Sequence, residues 1–357
     1  MLIALSVGHT ATAREAAKPK AAAPAPTHID IPPGSVYPEV TIHEPPIDWR
    51  TLKPPALLAE DLKALQTGTQ AERIAVLKAK LAHDMVFVEG GEFWMGDFGP
   101  YQSKEKLFWS PARHFNKPVQ KTRVASFSIS KYKVTYAELD LFNEVHKRPM
   151  AVPDLGRKEN RRRPDLPAGA DWKEAREYCQ WWGKLAAQPV DLPTEPQWEY
   201  AARNRGSFIL QATDTGKFDL NRNVPWDRTM EEFGWEAGVP LPIALYPPTP
   251  LGLFDMGTSG TEWMRDPVKL SQVLHSDILK DEIRGPYVTR GYSRVDEGGD
   301  EATTIKRAFR KPTTASEGST SASYSSNFRC TIHSPKPVVQ ANPTGATGPG
   351  SKPPDAK

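Results

Sequence analysis

Apolar residues recur at helical spacing in several stretches between positions 58 and 202. The first stretch puts Leu58, Leu62 and Leu65 on one helix face. The others follow side chains that cap helix starts, namely Thr69, Thr135, Asp171 and Thr194. A Glu or Gln stands three residues after each, as in a capping box: Glu72, Glu138, Glu174 and Gln197. The pattern predicts one helix per stretch.

Strand patterns follow the second predicted helix. Residues 85–96 predict two short strands on either side of a turn at Gly90-Gly91. Residues 124–134 alternate, with Phe127 and Ile129 between serines. After Arg205, Gly, Pro, Asn and Asp interrupt the chain and no long period persists. The second half is therefore predicted to be dominated by loops.

The prolines divide the chain into regions. There are 35 in 357 residues, and they are dense near both ends. Proline fixes φ and cannot donate to a ladder, so a Pro-rich segment stays extended. The polar, Pro- and Gly-rich C-terminal segment holds too little apolar surface to order itself. The predicted organisation is a signal-peptide remnant at 1–13, a Pro-rich linker at 14–57, a helical extension at 58–84, a folded domain at 85–334 and a disordered tail at 335–357.

The first residues suggest export. A short apolar run, residues 2–7, precedes Ala11-Thr12-Ala13, which has the form of a signal-peptidase site. The basic segment that normally starts a signal peptide is missing, so a frayed apolar terminus is the alternative. Export, for instance to the periplasm, would place the two cysteines in an oxidising compartment.

Composition excludes several classes of function. No apolar run approaches the ~18 residues of a spanning helix, so no transmembrane segment is expected. A net charge of +3 gives no general field for nucleic acid. Two cysteines cannot form a four-cysteine zinc site. The basic stretch at 157–163 is interpreted as a solvated surface, with an acidic partner as the alternative.

A series of motifs along residues 85–333 resembles the formylglycine-generating enzyme (sulfatase-modifying factor) family. The resemblance implies an irregular, loop-rich α+β domain related to C-type lectins. Each motif is weak alone, but their order over most of the chain is specific. The matching segments are 85–96, 126–135, 175–184, 192–203, 246–256, 262–263, 290–293, 307–310 and 327–330.

The catalytic residues of the family are missing. Its oxidases bind copper(I) with two cysteines, as soft thiolates do, and convert a substrate cysteine to formylglycine. The matching positions here hold Glu301 and Lys306, and no cysteine lies between Cys179 and Cys330. Another branch of the wider family binds iron through paired histidines in a preceding helical domain, and no such pair occurs here. No catalytic residue, copper or iron is therefore expected.

The resemblance gives the two cysteines a structural role. Cys179 and Cys330 occupy positions that are bridged in secreted relatives, which implies a disulfide. Closing a loop of this length would stabilise the fold by roughly 5 kcal/mol as an upper figure. The alternative is a pair of buried free thiols, which a cytoplasmic location would require.

The resemblance also implies a calcium site. In calcium-binding relatives the matching positions supply two carboxylates and two backbone carbonyls, here Asp255 and Glu262 with the carbonyls of Thr258 and Gly260. Calcium prefers such an oxygen-only set. The turn departs from the usual family sequence, so a capped structural turn without metal is the equal alternative.

Three arginines would lie near the family's active-site groove: Arg290, Arg307 and Arg310. With Glu301 and Lys306 they form a predicted groove for a protein partner, and the alternative is that the arginines brace the fold internally. The leading hypothesis is an exported, non-catalytic pseudoenzyme that binds a protein in the periplasm, as a type VI secretion regulator or an effector-blocking immunity protein. The rivals are an oxidoreductase with a non-cysteine site and a structural envelope protein tethered by the Pro-rich linker.

Overall fold

The computed structural model describes residues 26–32, 40–102, 109, 119–150, 162–235, 239–267, 287–291, 304, 307–310 and 326–338. The predicted signal-peptide remnant, Glu301, Lys306 and most of the predicted tail lie outside these residues. Among the helices within them, none is both long and apolar enough to span a lipid bilayer.

The predicted helices form where the capping residues stand. The side chains of Thr69, Thr135 and Thr194 make complete capping boxes with the residue three positions later, and Asp171 accepts a hydrogen bond from the backbone N of Glu174. The described helices are α1 (Ala56–Ala64), α2 (Gln70–Asp84), α3 (Gly99–Gln102), α4 (Tyr136–Val145), α5 (Trp172–Ala186), α6 (Glu195–Ala202) and α7 (Asp227–Glu232).

Short strands form small sheets between the helices, so the fold is α+β. The strands are β1 (Val40–Ile42), β2 (Met85–Val88), β3 (Gly91–Met95), β4 (Gln120–Val124), β5 (Phe127–Ser130), β6 (Val190–Asp191), β7 (Phe218–Leu220), β8 (Thr261–Trp263), β9 (Tyr287–Arg290), β10 (Arg307–Arg310), β11 (Ser326–Asn327) and β12 (Thr331–Ile332). One four-stranded sheet has the order β2-β5-β12-β6 and another has β10-β9-β8-β11, while β3-β4 and β1-β7 are two-stranded.

The two strands predicted around Gly90-Gly91 exist, but they do not pair with each other. β2 pairs antiparallel with β5, and β3 continues in the same register along β4. The chain thus forms one long ribbon that is interrupted at Gly90. A Cβ on Gly90 would lie 2.3 Å from the carbonyl oxygen of Val124. The glycine therefore allows the two backbones to approach closely, and it does not form the hairpin turn that the pattern suggested.

Part of the predicted linker packs on the domain. β1 pairs in parallel with β7, Val40 packs against the cluster around Phe218 and Trp226, and Ile29 is buried. The linker prediction is therefore wrong for this portion. Its prolines flank β1 on the sequence and leave the strand itself free of proline, so ladder hydrogen bonds remain available.

The predicted helical extension belongs to the main core. Leu58, Leu62, Leu77 and Leu81 lie in the same buried cluster as Trp182 of α5. The Trp182 indole Nε1 donates to the carbonyl oxygen of Leu77 at 2.7 Å. α1 and α2 are therefore fixed against the domain.

Candidate functional site

Both cysteine sulfur atoms of the protein form one structural bond. Cys179 of α5 and Cys330 beside β12 form a disulfide that links positions 151 residues apart. Both residues are fully buried, and the sequence contains no other cysteine. The implied disulfide is confirmed, so neither cysteine offers a thiolate for copper binding.

Arg290 of β9 is part of a buried ion network. It is fully buried and donates to the carboxylates of Glu195 (3.0 Å) and Glu199 (2.5 Å). The Glu199 carboxylate also accepts from the Arg203 side chain at 2.9 Å and from the backbone N of Gly96 at 2.7 Å. The network joins α6, β9 and the segment after β3, so Arg290 braces the fold.

The predicted partner groove is therefore wrong for Arg290, which has no surface to offer a partner. The alternative of internal bracing is the correct one for this residue, because a buried guanidinium needs carboxylate partners to offset its lost hydration. In β10, the backbones of Arg307 and Arg310 pair with Arg290 and Tyr287. The side chains of these two arginines, like Glu301 and Lys306, lie outside what the structure describes.

Lys133 reaches the turn at which a calcium ion was expected. It follows β5, and its Nζ donates to the carbonyl oxygens of Thr258 (2.6 Å), Ser259 (3.1 Å) and Gly260 (2.7 Å). The Glu262 carboxylate lies 3.7 Å away. An ammonium group thus occupies the position of the implied metal, with the same carbonyls as acceptors.

The two carboxylates of the expected set have other partners. Glu262 accepts from Arg329 Nε at 2.7 Å and Nη2 at 2.9 Å, and from the indole Nε1 of Trp198 at 2.9 Å. The Asp255 carboxylate accepts from the backbone N of Ala244 at 2.8 Å. Burial raises the pKa of Asp255, while the Ala244 N–H and the Lys133 charge act in the opposite direction.

These residues do not fit a calcium ion. A divalent cation bound to the carbonyls of Thr258 and Gly260 would lie within a few ångströms of the Lys133 ammonium, and like charges repel strongly in a buried site. Burial lowers the pKa of Lys133 to about 8, against the attraction of Glu262, so the side chain is mostly protonated at neutral pH. Across the described residues, no three His, Cys, Asp or Glu side chains gather to hold a metal.

Sequence reasoning missed Lys133 because the residue and its acceptors are 125 to 127 positions apart. The available signal was a lysine among apolar residues, between Tyr132 and Val134. A charged residue in such a run is usually buried only with partners. The partners here are mostly backbone carbonyls, which no sequence pattern reveals.

Comparison with known proteins supports the family resemblance. Residues 71–333 match the family model of the sulfatase-modifying factor enzyme 1-like domain. The chain is 29% identical over 189 residues to a formylglycine-generating enzyme of Bos taurus, covering 47% of this chain and 44% of that enzyme. It is 33% identical over 177 residues to the inactive C-alpha-formylglycine-generating enzyme 2 of Bos taurus, covering 46% of this chain and 50% of that protein.

A bacterial relative matches over a longer stretch. The formylglycine-generating enzyme of Streptomyces coelicolor is 27% identical over 303 residues, covering 73% of this chain and 92% of that enzyme. PvdO from Pseudomonas aeruginosa aligns with a TM-score of 0.49 and 18% identity, covering 70% of this chain and 93% of that structure. The chain spans less than half the length of the mammalian formylglycine-generating enzymes that it matches. Because the family model covers well over half of the sequence, the chain belongs to the sulfatase-modifying factor (formylglycine-generating enzyme-like) family.

Proposed function

We propose that this chain is a non-catalytic family member that acts by binding another protein. The observation that carries the proposal is the buried Cys179–Cys330 disulfide, which uses the only two cysteines present. Cysteine-based oxidation needs a thiolate, because the thiolate binds copper(I) and the thiol is inert. The named inactive relative from Bos taurus supports the idea that the family's domain persists without the enzyme's activity.

The proposed location is the bacterial periplasm or another exported compartment. The apolar start of the sequence and the disulfide support it, because disulfides persist in oxidising compartments and are rare in the cytosol. Within that setting, the proposed role is that of a type VI secretion regulator or of an immunity protein that blocks an effector. This proposed role is based on the resemblance to envelope members of the family.

An oxidase assay tests the non-catalytic part. The purified full chain is incubated with copper(I) and a peptide containing Cys-x-Pro-x-Arg, and the peptide is analysed by mass spectrometry. The Streptomyces coelicolor enzyme serves as the positive control. We expect the cysteine to remain unchanged with this chain. Formation of formylglycine would overturn the proposal and favour an oxidoreductase with a non-cysteine site.

A further inference from the structure

An open groove of about 800 Å³ lies beside α1. One wall is the segment from Trp49 through α1, and the opposite side is formed by residues 163–165 together with Pro242, Ile243 and Leu245. Half-buried apolar side chains, among them Leu52 and Leu245, line it. The groove is large enough for several side chains of a peptide.

The groove is basic at its edge. Its lining includes Arg50, Lys53, Lys63 and Arg163, against the single carboxylate of Asp165. Arg163 pairs with Asp165 at 2.6 Å, and Arg50 is held by an aspartate just outside the lining. Lys53 and Lys63 are exposed and have no ion pair with any described residue. These two lysines therefore give the groove uncompensated positive charge.

The walls are fixed before any partner arrives. Leu58 and Leu62 bury one face of α1 in the main core. The Trp49 ring packs edge-on against Trp235 with 4.7 Å between ring centroids, and the Arg163 guanidinium lies over the same Trp235 ring. A preformed groove costs little ordering entropy on binding.

One wall lies outside the region shared with the family. The family model matches residues 71–333, whereas the segment from Trp49 to Thr67 precedes it. The groove is thus built by adding a segment of this chain to one side of the common domain. Its ligand therefore need not resemble the substrate of the family's oxidases.

We propose that this groove binds an acidic segment of a partner protein. An apolar side chain of the segment would contact Leu52 and Leu245, and its carboxylates would pair with Lys53 and Lys63. The chain's own ends lack this charge: in residues 1–25 and 339–357, Lys and Arg outnumber Asp and Glu. A second copy of the chain carries a net charge of +3 and is disfavoured for the same reason. This inference rests on the proposed binding function.

A random peptide library displayed on phage, selected against the full chain, tests the proposal. We expect acidic peptides with a large apolar residue to be enriched. Their affinities are then measured by fluorescence anisotropy for the wild type and for the double variant Lys53→Glu with Lys63→Glu. The variant should bind about tenfold more weakly or worse, and wild-type binding should weaken with added salt. Leu52→Gln should also weaken binding.

A matched control is Lys78→Glu with Lys336→Glu, because both lysines are exposed, carry the same charge and lie outside the groove. It should retain wild-type affinity, and all variants should keep the wild-type melting temperature. Failure to enrich acidic peptides, or equal loss of binding in the control, would overturn the groove proposal. Peptides whose affinity is unchanged in both double variants would overturn the groove as the binding site, but not the proposed binding function. Formylglycine formation in the oxidase assay would instead overturn the proposal that the chain is non-catalytic.

Discussion

The Lys133 ammonium lies 2.7 Å from the carbonyl oxygen of Gly260, in the turn for which the family resemblance implied a calcium site. It also donates to the carbonyl oxygens of Thr258 and Ser259. The side chain thus satisfies three buried acceptors with a covalently attached cation. In contrast to a bound ion, this cation is present at any calcium concentration.

Calcium should therefore have no effect on the stability of the wild-type protein. An ion that binds only the folded state would stabilise it by about 2.7 kcal/mol at a hundredfold excess over its dissociation constant. We expect the same melting temperature in calcium and in chelator, measured by differential scanning fluorimetry. If calcium raised the melting temperature of the wild type but not that of the variant Asp255→Ala with Glu262→Ala, an ion would bind at this turn.

Removing the charge at position 133 should destabilise the fold. Lys133→Met keeps an unbranched apolar side chain but removes the donor to the buried carbonyls of Thr258 and Gly260, while Ser259 keeps its hydrogen bond from Asn327. We therefore expect the free energy of unfolding in urea to fall by about 3 kcal/mol or more. Lys121→Met is the control, because Lys121 is exposed and pairs with Glu92 at the surface. It should change stability by less than about 0.5 kcal/mol. Equal effects of the two changes would contradict the role of Lys133.

A matched pair of substitutions tests whether the buried arginines around Glu199 depend on its charge. Glu199→Gln removes the negative charge that Arg203 and Arg290 share, and both guanidinium groups are buried. We expect a loss of about 3–5 kcal/mol, since an uncompensated buried charge remains. Glu89→Gln, at the exposed pair with Arg205, should be nearly neutral. A nearly neutral Glu199→Gln would mean that Arg290 does not depend on this pairing.

The buried cluster of Lys80, Asp84 and Glu138 predicts a pH dependence. Burial raises the pKa of Asp84, but its partners Lys80 and His83 outweigh burial, and the net pKa is lowered. A carboxyl whose pKa is lower in the folded state stabilises the protein above its ordinary pKa of about 3.9, and this stabilisation is lost as the pH falls below that value.

The corresponding experiment compares urea midpoints of the wild type and Asp84→Asn between neutral and acidic pH. The variant should be clearly less stable at neutral pH, because Lys80 loses its nearest carboxylate. The difference in urea midpoint between the wild type and the variant should become smaller below about pH 4, where Asp84 begins to be protonated in the unfolded state. A difference that stays constant with pH would show that the charge of Asp84 contributes nothing.

Local chemistry made the helix starts predictable. Capping boxes are formed by Thr69, Thr135 and Thr194, each with a residue three positions later. A few neighbouring residues therefore determine where each of these helices begins. The disulfide followed from the resemblance, because the two cysteines stand in family motifs that are 151 positions apart. The spacing alone would have allowed two free thiols.

Long-range pairings were not predictable. β1 pairs with β7 across nearly 180 positions, and its three residues carry no distinctive pattern of their own. The sequence around Gly90 predicts a turn, although the glycine is needed where its backbone closely approaches that of Val124, a contact that only the fold creates. Arg290 stands in a family motif near the expected groove, and its burial depends on the placement of Glu199 on α6. In each case the partner is set by tertiary structure.

The state of the two cysteine sulfur atoms decides most directly whether the protein can carry out cysteine-based oxidation. Full-length protein recovered from an exported fraction is unfolded in guanidinium without reductant, in the presence of excess iodoacetamide, and weighed by intact mass spectrometry. We expect no alkylated cysteine without reductant and two alkylated cysteines after prior reduction, because Cys179 and Cys330 are bonded to each other. Two alkylated cysteines without reduction would contradict this expectation, because both thiols would then be free for chemistry.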